Sequence, residues 1–485
     1  MRRRGAWSCA LALALASAGV LAASCVPSLE GNEPREPNKE TPGSFGVAND
    51  AGNADAGPPA RRVAQQTWNE FFASPELRSL IEGALRDNRE LNIQLQELVI
   101  AKAEISARQG EYLPRVSAGG GAGLEKVPKH TPQGASDEAH GLPEPLASFT
   151  FGLTGSWEVD IWKKLRNAAK AARLRYLATV EARNFMITQL VAEIARSYWE
   201  LVALDNILDA LKRNVEILTD ALEVVKLQKL AARTTELAVQ RFEAEVLKTK
   251  SRLYDLEQER VQAENRINFL VGRYPQPVRR NPEELKEPLP ASLVAGLPSD
   301  LLRNRPDVRK AELELEAAKL DVKAARAAFY PSLSIDAEAG YRAFNAEHLV
   351  ATPESLVLGL TGNLTAPLLN RKAIEAQFRS ANARQLQAVF AYEQTLLLAF
   401  TDVRNQLAAI ENLRRTSELQ AEQVETLHRS VEVSSVLFQS ARADYMEVLL
   451  TRRDSLEAEI SWIETKKRQR LALVALYQAL GGGWR

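Results

Sequence analysis

From Phe149 to Val159, apolar residues or glycine fill every second position: Phe149, Phe151, Leu153, Gly155, Trp157 and Val159. Ser148, Thr150, Thr154, Ser156, Glu158 and Asp160 take the places between them. A period of two puts the two sets on opposite faces of a β-strand. Val116, Ala118, Gly120, Ala122 and Leu124 alternate in the same way with Ser117, Gly119, Gly121 and Gly123. Further on, Leu333, Ile335, Ala337, Ala339 and Tyr341 alternate with Ser332, Ser334, Asp336 and Glu338, and Leu356 to Ala366 supplies a return strand. The pattern predicts two β-hairpins, 113–159 and 332–366, and therefore four strands.

After each return strand the period changes. No glycine or proline occurs between Ser156 and Val271 or between Leu368 and Leu480, so nothing in either block breaks a helix outright. Leu204, Leu208, Leu211, Val215, Leu218, Leu222 and Val225 step by four and three, the seam of a coiled coil, as do Leu396, Phe400, Val403, Leu407 and Ile410. A single helix from Lys163 to Ala231 would be on the order of 100 Å long. Asp444 with Glu447 has capping-box spacing, and Thr235 stands at the matching place in the first block, so each block is expected to fold back on itself as a helical hairpin. Shorter helices, Leu91 to Gln109 and Val308 to Ala328, precede Pro114 and Pro331.

These elements repeat. "EYLPRVSAGGGAG" at 111 recurs as "AFYPSLSIDAEAG" at 328, "FGLTGSWEVDIWKKL" at 151 as "LGLTGNLTAPLLNRK" at 358, and "NFLVGRY" at 268 as "YQALGGG" at 477. The offsets are all about 210 residues, which predicts one structural unit present twice. The first repeat is placed at 67–281, with its helical hairpin at 163–271. A linker follows at 282–298, then the second repeat at 299–485, with its hairpin at 370–480.

Composition narrows the class. The 485 residues carry no formal net charge, so nothing draws the chain generally to nucleic acid. The two cysteines, Cys9 and Cys25, leave no disulfide framework or cysteine metal site in the rest of the chain. Arg2, Arg3 and Arg4 followed by an apolar run from Ala10 to Leu21 read as an export leader, 1–24. "LAASC" resembles a lipoprotein signal ending at Cys25, with Ala22 where Leu is usual; cleavage near Ser24 without lipidation is the alternative. Residues 25–66, rich in Pro, Gly, Asn and Glu, read as a disordered tether. His130 and His140 flank a polar loop and read as solvated rather than metal-binding. No nucleophile stands beside a base, and there is no phosphate loop or metal-ligand cluster; the chain reads as a non-enzyme without cofactor.

Two readings fit the strands. One is an antiparallel sheet in a soluble domain. The other is a membrane sheet, and four strands cannot close a barrel alone, so several chains would have to share one.

The chain resembles the outer-membrane efflux proteins of the TolC type, in particular the lipoprotein branch serving tripartite drug pumps, over roughly Thr67 to Arg485. The resemblance is carried by "RNRPDVRKAELELEAAKLDVKAARAAFYPSL" at 303–333, "GSWEVDIW" at 155–162 and "TWNEFFASPELRSLIEGAL" at 67–85, with Arg305, Pro306 and Asp307 on the family's helix-starting motif. "TAPLLNRK" lacks the family's Gly-rich link, and Ala232 and Ala441 stand at hairpin tips where Gly is common. The resemblance implies a mainly α fold with a small β membrane part: long helical hairpins forming a coiled-coil tunnel, and four strands per chain completing a shared twelve-stranded barrel in a homotrimer. It implies a passive outer-membrane exit duct for drugs or other small molecules, lipid-anchored and reaching into the periplasm, with a periplasmic adaptor and an inner-membrane transporter as partners. An exit duct for secreted proteins and a pore-less coiled-coil scaffold are the alternatives. By position, Met446, Glu447 and Leu450 are gate candidates, Leu450 standing where many relatives carry Asp. The turns at Arg233, Thr234, Arg442 and Ala443 are the adaptor-contact candidates.

Overall fold

A computed structural model describes residues 26–29, 31, 33–46, 66–289, 298–440 and 442–484. The leader, Cys25 and Ala441 lie outside the described residues, as do parts of the expected tether and linker. Contacts within the chain define two compact units. The first holds residues through Pro37 with 98–178 and 312–391, and the second holds 38–97, 179–311 and 392–485.

Among the described residues the chain begins with α1 (Trp68–Phe71), α2 (Pro75–Asp87) and α3 (Arg89–Glu111). Strand β1 (Arg115–Glu125), α4 (Pro132–Ala139) and β2 (Leu146–Val159) follow, then the long pair α5 (Lys164–Leu230) and α6 (Glu236–Val271). The order recurs with α7 (Leu301–Asn304), α8 (Pro306–Ala327), β3 (Ser332–Ala343), β4 (Leu356–Thr365), α9 (Lys372–Gln439) and α10 (Tyr445–Ala479). Helix α4 interrupts what the sequence suggested was only a polar loop; Thr131 caps it by accepting from the Gly134 amide, with Pro132 at its first position.

The first unit contains the sheet, antiparallel throughout in the order β1-β2-β3-β4. Its central pairing joins the two repeats, with Phe151 opposite Tyr341 and Val159 opposite Leu333.

The second unit has its own apolar core, in which Leu77, Ile81, Ile194, Leu201 and Leu211 are fully buried. Here the repeat is visible atom by atom. Helices α6 and α10 both end with a left-handed glycine, Gly272 and Gly481, each at φ 81°. Arg273 N donates to Asn268 O and Gly482 N to Tyr477 O, both at 3.0 Å, the six-to-one bond that closes a Schellman cap. A Cβ on Gly272 would lie 2.3 Å from Asp87 O, and one on Gly481 2.5 Å from Asn304 O. The residue following each of these carbonyls reaches a carbonyl left unpaired at the helix end. Asn88 Nδ2 donates to Leu270 O at 2.8 Å while its Oδ1 accepts from Leu91 N, and Arg305 Nη1 donates to Ala479 O at 3.0 Å.

Residues 25–66 depart from the expected tether in their described part. Phe45 is fully buried and stacks on Phe400 with ring centroids 5.4 Å apart. Asn38 N donates to Glu393 Oε1, and Gln385 Nε2 donates to Arg35 O, both at 2.9 Å. A low average hydropathy conceals one aromatic anchor and a backbone able to pair with side chains on α9.

Tyr198, Trp199 and Tyr477 are buried. Tyr198 also closes a polar network, its hydroxyl donating to Glu284 Oε2 at 3.0 Å and lying 3.1 Å from Ser74 Oγ. Arg470 lies over the Trp199 ring and donates to Glu284 O and Glu287 O, both at 2.7 Å, fastening this segment to α10. Burial pushes the Glu284 carboxyl above its ordinary range and raises the Tyr198 hydroxyl as well. A raised carboxyl keeps its proton in the folded chain where the unfolded chain has lost it. Its stabilisation is therefore complete below the unfolded value of about 4.5 and is lost as pH rises through the shifted one. Between pH 4.5 and neutrality the melting temperature is expected to fall more steeply in the wild type than in Glu284→Gln, whose amide oxygen still accepts from Tyr198. Parallel melting curves over that range would remove Glu284 from the pH dependence.

Candidate functional site

The register turns four alternating strands into one two-faced surface. Opposed residues share a face, so one face collects Val116, Gly155, Ala337 and Leu360, then Ala118, Leu153, Ala339 and Leu358, then Gly120, Phe151, Tyr341 and Leu356. Val159, Leu333 and Leu364 extend it toward the long helices. No charged residue interrupts these rows. Leu358, Leu360 and Leu364 are 73%, 79% and 63% exposed. The opposite face carries Ser117, Thr154, Ser156, Asp336, Glu338 and Asn363, with Asn363 Nδ2 donating to Asp336 Oδ2 at 2.9 Å.

On β1, β2 and β3 a row without side chains runs across the polar face, meeting Val357 on β4. Gly119 pairs with Gly152 and Gly152 with Gly340. A Cβ on Gly152 would lie 2.6 Å from Gly340 Cα, and one on Gly340 2.5 Å from Phe151 O. The backbones of β2 and β3 therefore approach closely on this side.

The second unit supplies the helical tips. Helix α5 ends in a Schellman cap with Ala232 in the left-handed position at φ 57°, Arg233 N donating to Gln228 O at 2.8 Å and Ala232 N to Lys229 O at 2.9 Å. At the other tip Arg442 N donates to Leu437 O at 2.8 Å, the same closure. Thr235 caps α6 as expected, accepting from Ala238 N. The expected Asp444–Glu447 capping box does not form, because the Asp444 side chain makes no cap bond and Glu447 N pairs with Asp444 O. Arg233, Arg442 and Glu447 are exposed, and Thr234, Ala443 and Met446 are half-buried. Leu450, one turn beyond Met446, is 41% exposed. Arg241 Nη1 lies 2.9 Å from Met446 Sδ, tying α6 to α10. Beneath the tip Leu218, Leu222, Val225, Phe242 and Val246 form a separate core, with Phe438, Tyr445 and Leu449 against it.

A left-handed alanine is strained by about 1 kcal/mol, which glycine relieves. Ala232→Gly is therefore expected to stabilise the tip by about that amount, read as slower amide exchange over 225–240. Unchanged or faster exchange would mean that the tip backbone is not held in this conformation.

The profile of the family described as outer membrane efflux protein matches residues 80–273 and 297–482, most of the chain and both repeats. The chain belongs to the outer membrane efflux protein family. Its members are outer-membrane channel proteins, which places this chain in the outer membrane. The pyoverdine export outer membrane protein OpmQ of Pseudomonas aeruginosa is 30% identical over 86% of this chain and 87% of its own. The probable outer membrane lipoprotein SilC of Salmonella typhimurium is 28% identical over 88% and 90%. The cation efflux system protein CusC of Escherichia coli is 27% identical over 86% and 88%. A crystal structure of CusC superposes with a TM-score of 0.79 at 25% identity, covering 93% of this chain and all of that one.

Within this outer membrane efflux protein, the motif that carried the resemblance has a structural task. Arg305 donates to both Asp307 oxygens at 3.0 and 2.7 Å, to Ala479 O, and more distantly to Asp402. The motif was visible in the sequence; the carbonyl it caps, more than 170 residues away, was not.

Proposed function

We propose that the sheet is one third of a closed membrane barrel shared by three copies of the chain, and that the polar face lines a passive exit duct for small molecules. The observation that carries this reading is the uninterrupted apolar face, exposed across four strands that leave β1 and β4 as open edges. Lipid tolerates no unpaired backbone, so the edges must be closed by other strands. Two copies would give eight strands, whose interior side chains fill, so a conducting lumen needs at least three. Strands of 10 to 14 residues suffice to cross a bilayer when tilted.

On this reading the long helices continue the duct into the periplasm. The turns at Arg233, Thr234, Arg442 and Ala443 meet a periplasmic adaptor, which links the duct to an inner-membrane transporter that supplies the energy. Cys25 carries the lipid anchor. Met446, Glu447 and Leu450 form the gate. Glu447, free of a capping bond, adds negative charge there, and the Arg241 contact holds Met446 in place.

The test is mass and conductance together. Purified in mild detergent, the chain is expected to be a trimer that opens steady channels in planar bilayers. A monomer or dimer with silent bilayers would make it a scaffold. Replacing Met446 and Leu450 by serine is expected to raise the conductance roughly two-fold or more, and an unchanged value would exclude both from the gate.

A further inference from the structure

The chain builds the same corner twice, each time where a strand hands over to a long helix. After β2, the Asp160 carboxylate accepts from Leu165 N at 3.1 Å and Arg166 N at 2.9 Å, so the helix start is held while the residues between loop outward. Lys163 turns the chain in the left-handed conformation at φ 59°. After β4, Asn370 makes the equivalent turn at φ 52°. Each turn is preceded by two exposed apolar residues: Ile161 and Trp162 at 50% and 46%, Leu368 and Leu369 at 64% and 90%. Each carries exposed cations, Lys163 and Arg166 in the first and Lys372 in the second.

Three features give these corners a direction. They continue the apolar sheet face, whose last row, Val159, Leu333 and Leu364, lies a few residues away along the chain. The first corner is firmly built, since the Trp162 indole donates to Pro331 O at 2.8 Å and stacks on Tyr330 with centroids 4.7 Å apart. Their local charge is positive: around the first turn Lys163, Lys164 and Arg166 outnumber Glu158 and Asp160, and around the second Arg371 and Lys372 outnumber Glu375. An apolar pair beside fixed cations, at the rim of a lipid-facing surface, matches the boundary between acyl chains and phosphates.

We infer that the two corners form a collar that binds the phosphate headgroups of anionic glycerophospholipid in the leaflet beside the helices, with Ile161, Trp162, Leu368 and Leu369 seated among the acyl chains. This rests on the proposed membrane reading of the sheet. Cations near an anionic surface each contribute modestly, and several in one ring give a several-fold preference for anionic over zwitterionic lipid.

The experiment uses the full chain, reconstituted into vesicles of phosphatidylcholine with and without phosphatidylglycerol, then released gently for native mass spectrometry. The wild type is expected to retain phosphatidylglycerol over phosphatidylcholine by roughly five-fold. The variant Lys163→Gln, Arg166→Gln, Lys372→Gln should lose that preference while keeping its oligomer mass. Lys163→Arg with Lys372→Arg should keep it, and excess glycerol phosphate should displace nothing. Equal retention of both lipids by the wild type, or a preference intact in the glutamine variant, overturns the collar. Should the glutamine variant fail to assemble, a second readout decides: phospholipid brominated high on its chains should quench wild-type fluorescence more than that of Trp162→Phe, and equal quenching refutes the seating. A chain that does not enter vesicles at all would refute the membrane reading itself.

Discussion

Replacing Arg305 by alanine is expected to destabilise the second unit by about 3 kcal/mol, seen as a lowered urea midpoint of helical circular dichroism. The side chain is only 8% exposed and its guanidinium serves Asp307 through two bonds and Ala479 O through a third. Removing it strands a partly buried carboxylate and one of the carbonyls that a helix end cannot pair by itself. Arg305→Lys should fall between wild type and alanine, because an ammonium keeps the charge but not the planar fork. Asp402→Ala should cost little, since that carboxylate is half exposed and 3.4 Å away. A loss below about 1 kcal/mol in the alanine variant would mean that the motif does not hold the end of α10.

Gly152→Val should have the largest effect on the sheet. No rotamer relieves a Cβ 2.6 Å from Gly340 Cα and 2.7 Å from Ala339 O, because both neighbours are backbone. The strands must separate there, which disrupts the β2–β3 pairing that joins the two hairpins into one sheet. The variant is expected to give no oligomer and no conductance while retaining the helical signal of the second unit. Gly123→Ala is the control: nothing lies within 4 Å of the added carbon, and assembly should be unaffected. A Gly152→Val chain that assembles and conducts would show that the close approach of β2 and β3 is dispensable.

Much of this architecture was legible because its signals are local. Strict alternation located β2, though the strand begins at Leu146 rather than Phe149, where the polar loop gave no cue. The absence of Gly and Pro located α5 within one residue at each end of the expected Lys163–Ala231. Non-local bonds were illegible. The pairing of β2 with β3, which makes two hairpins one sheet, leaves no mark on either strand alone. Glu284 looks like any charge in a polar linker until Tyr198, 86 residues away, is found beside it. Asp444 and Glu447 had the right spacing for a capping box, yet the Asp444 side chain does not cap, so the pattern was necessary but insufficient. Phe45 was hidden by the composition around it. At the tips, the sequence placed Met446, Glu447 and Leu450 on the first turns of α10, but the Arg241 contact to Met446 depends on how α6 lies beside it.

The open edges of β1 and β4 make the stability of this protein partly a matter of mass action. The second unit encloses an apolar core built within one chain. The barrel, on the proposed reading, belongs to three, and its free energy varies with how many copies share the membrane. Dilution should therefore separate two events that look like one in concentrated samples, and a single melting temperature has meaning only when quoted with the protein-to-lipid ratio at which it was measured.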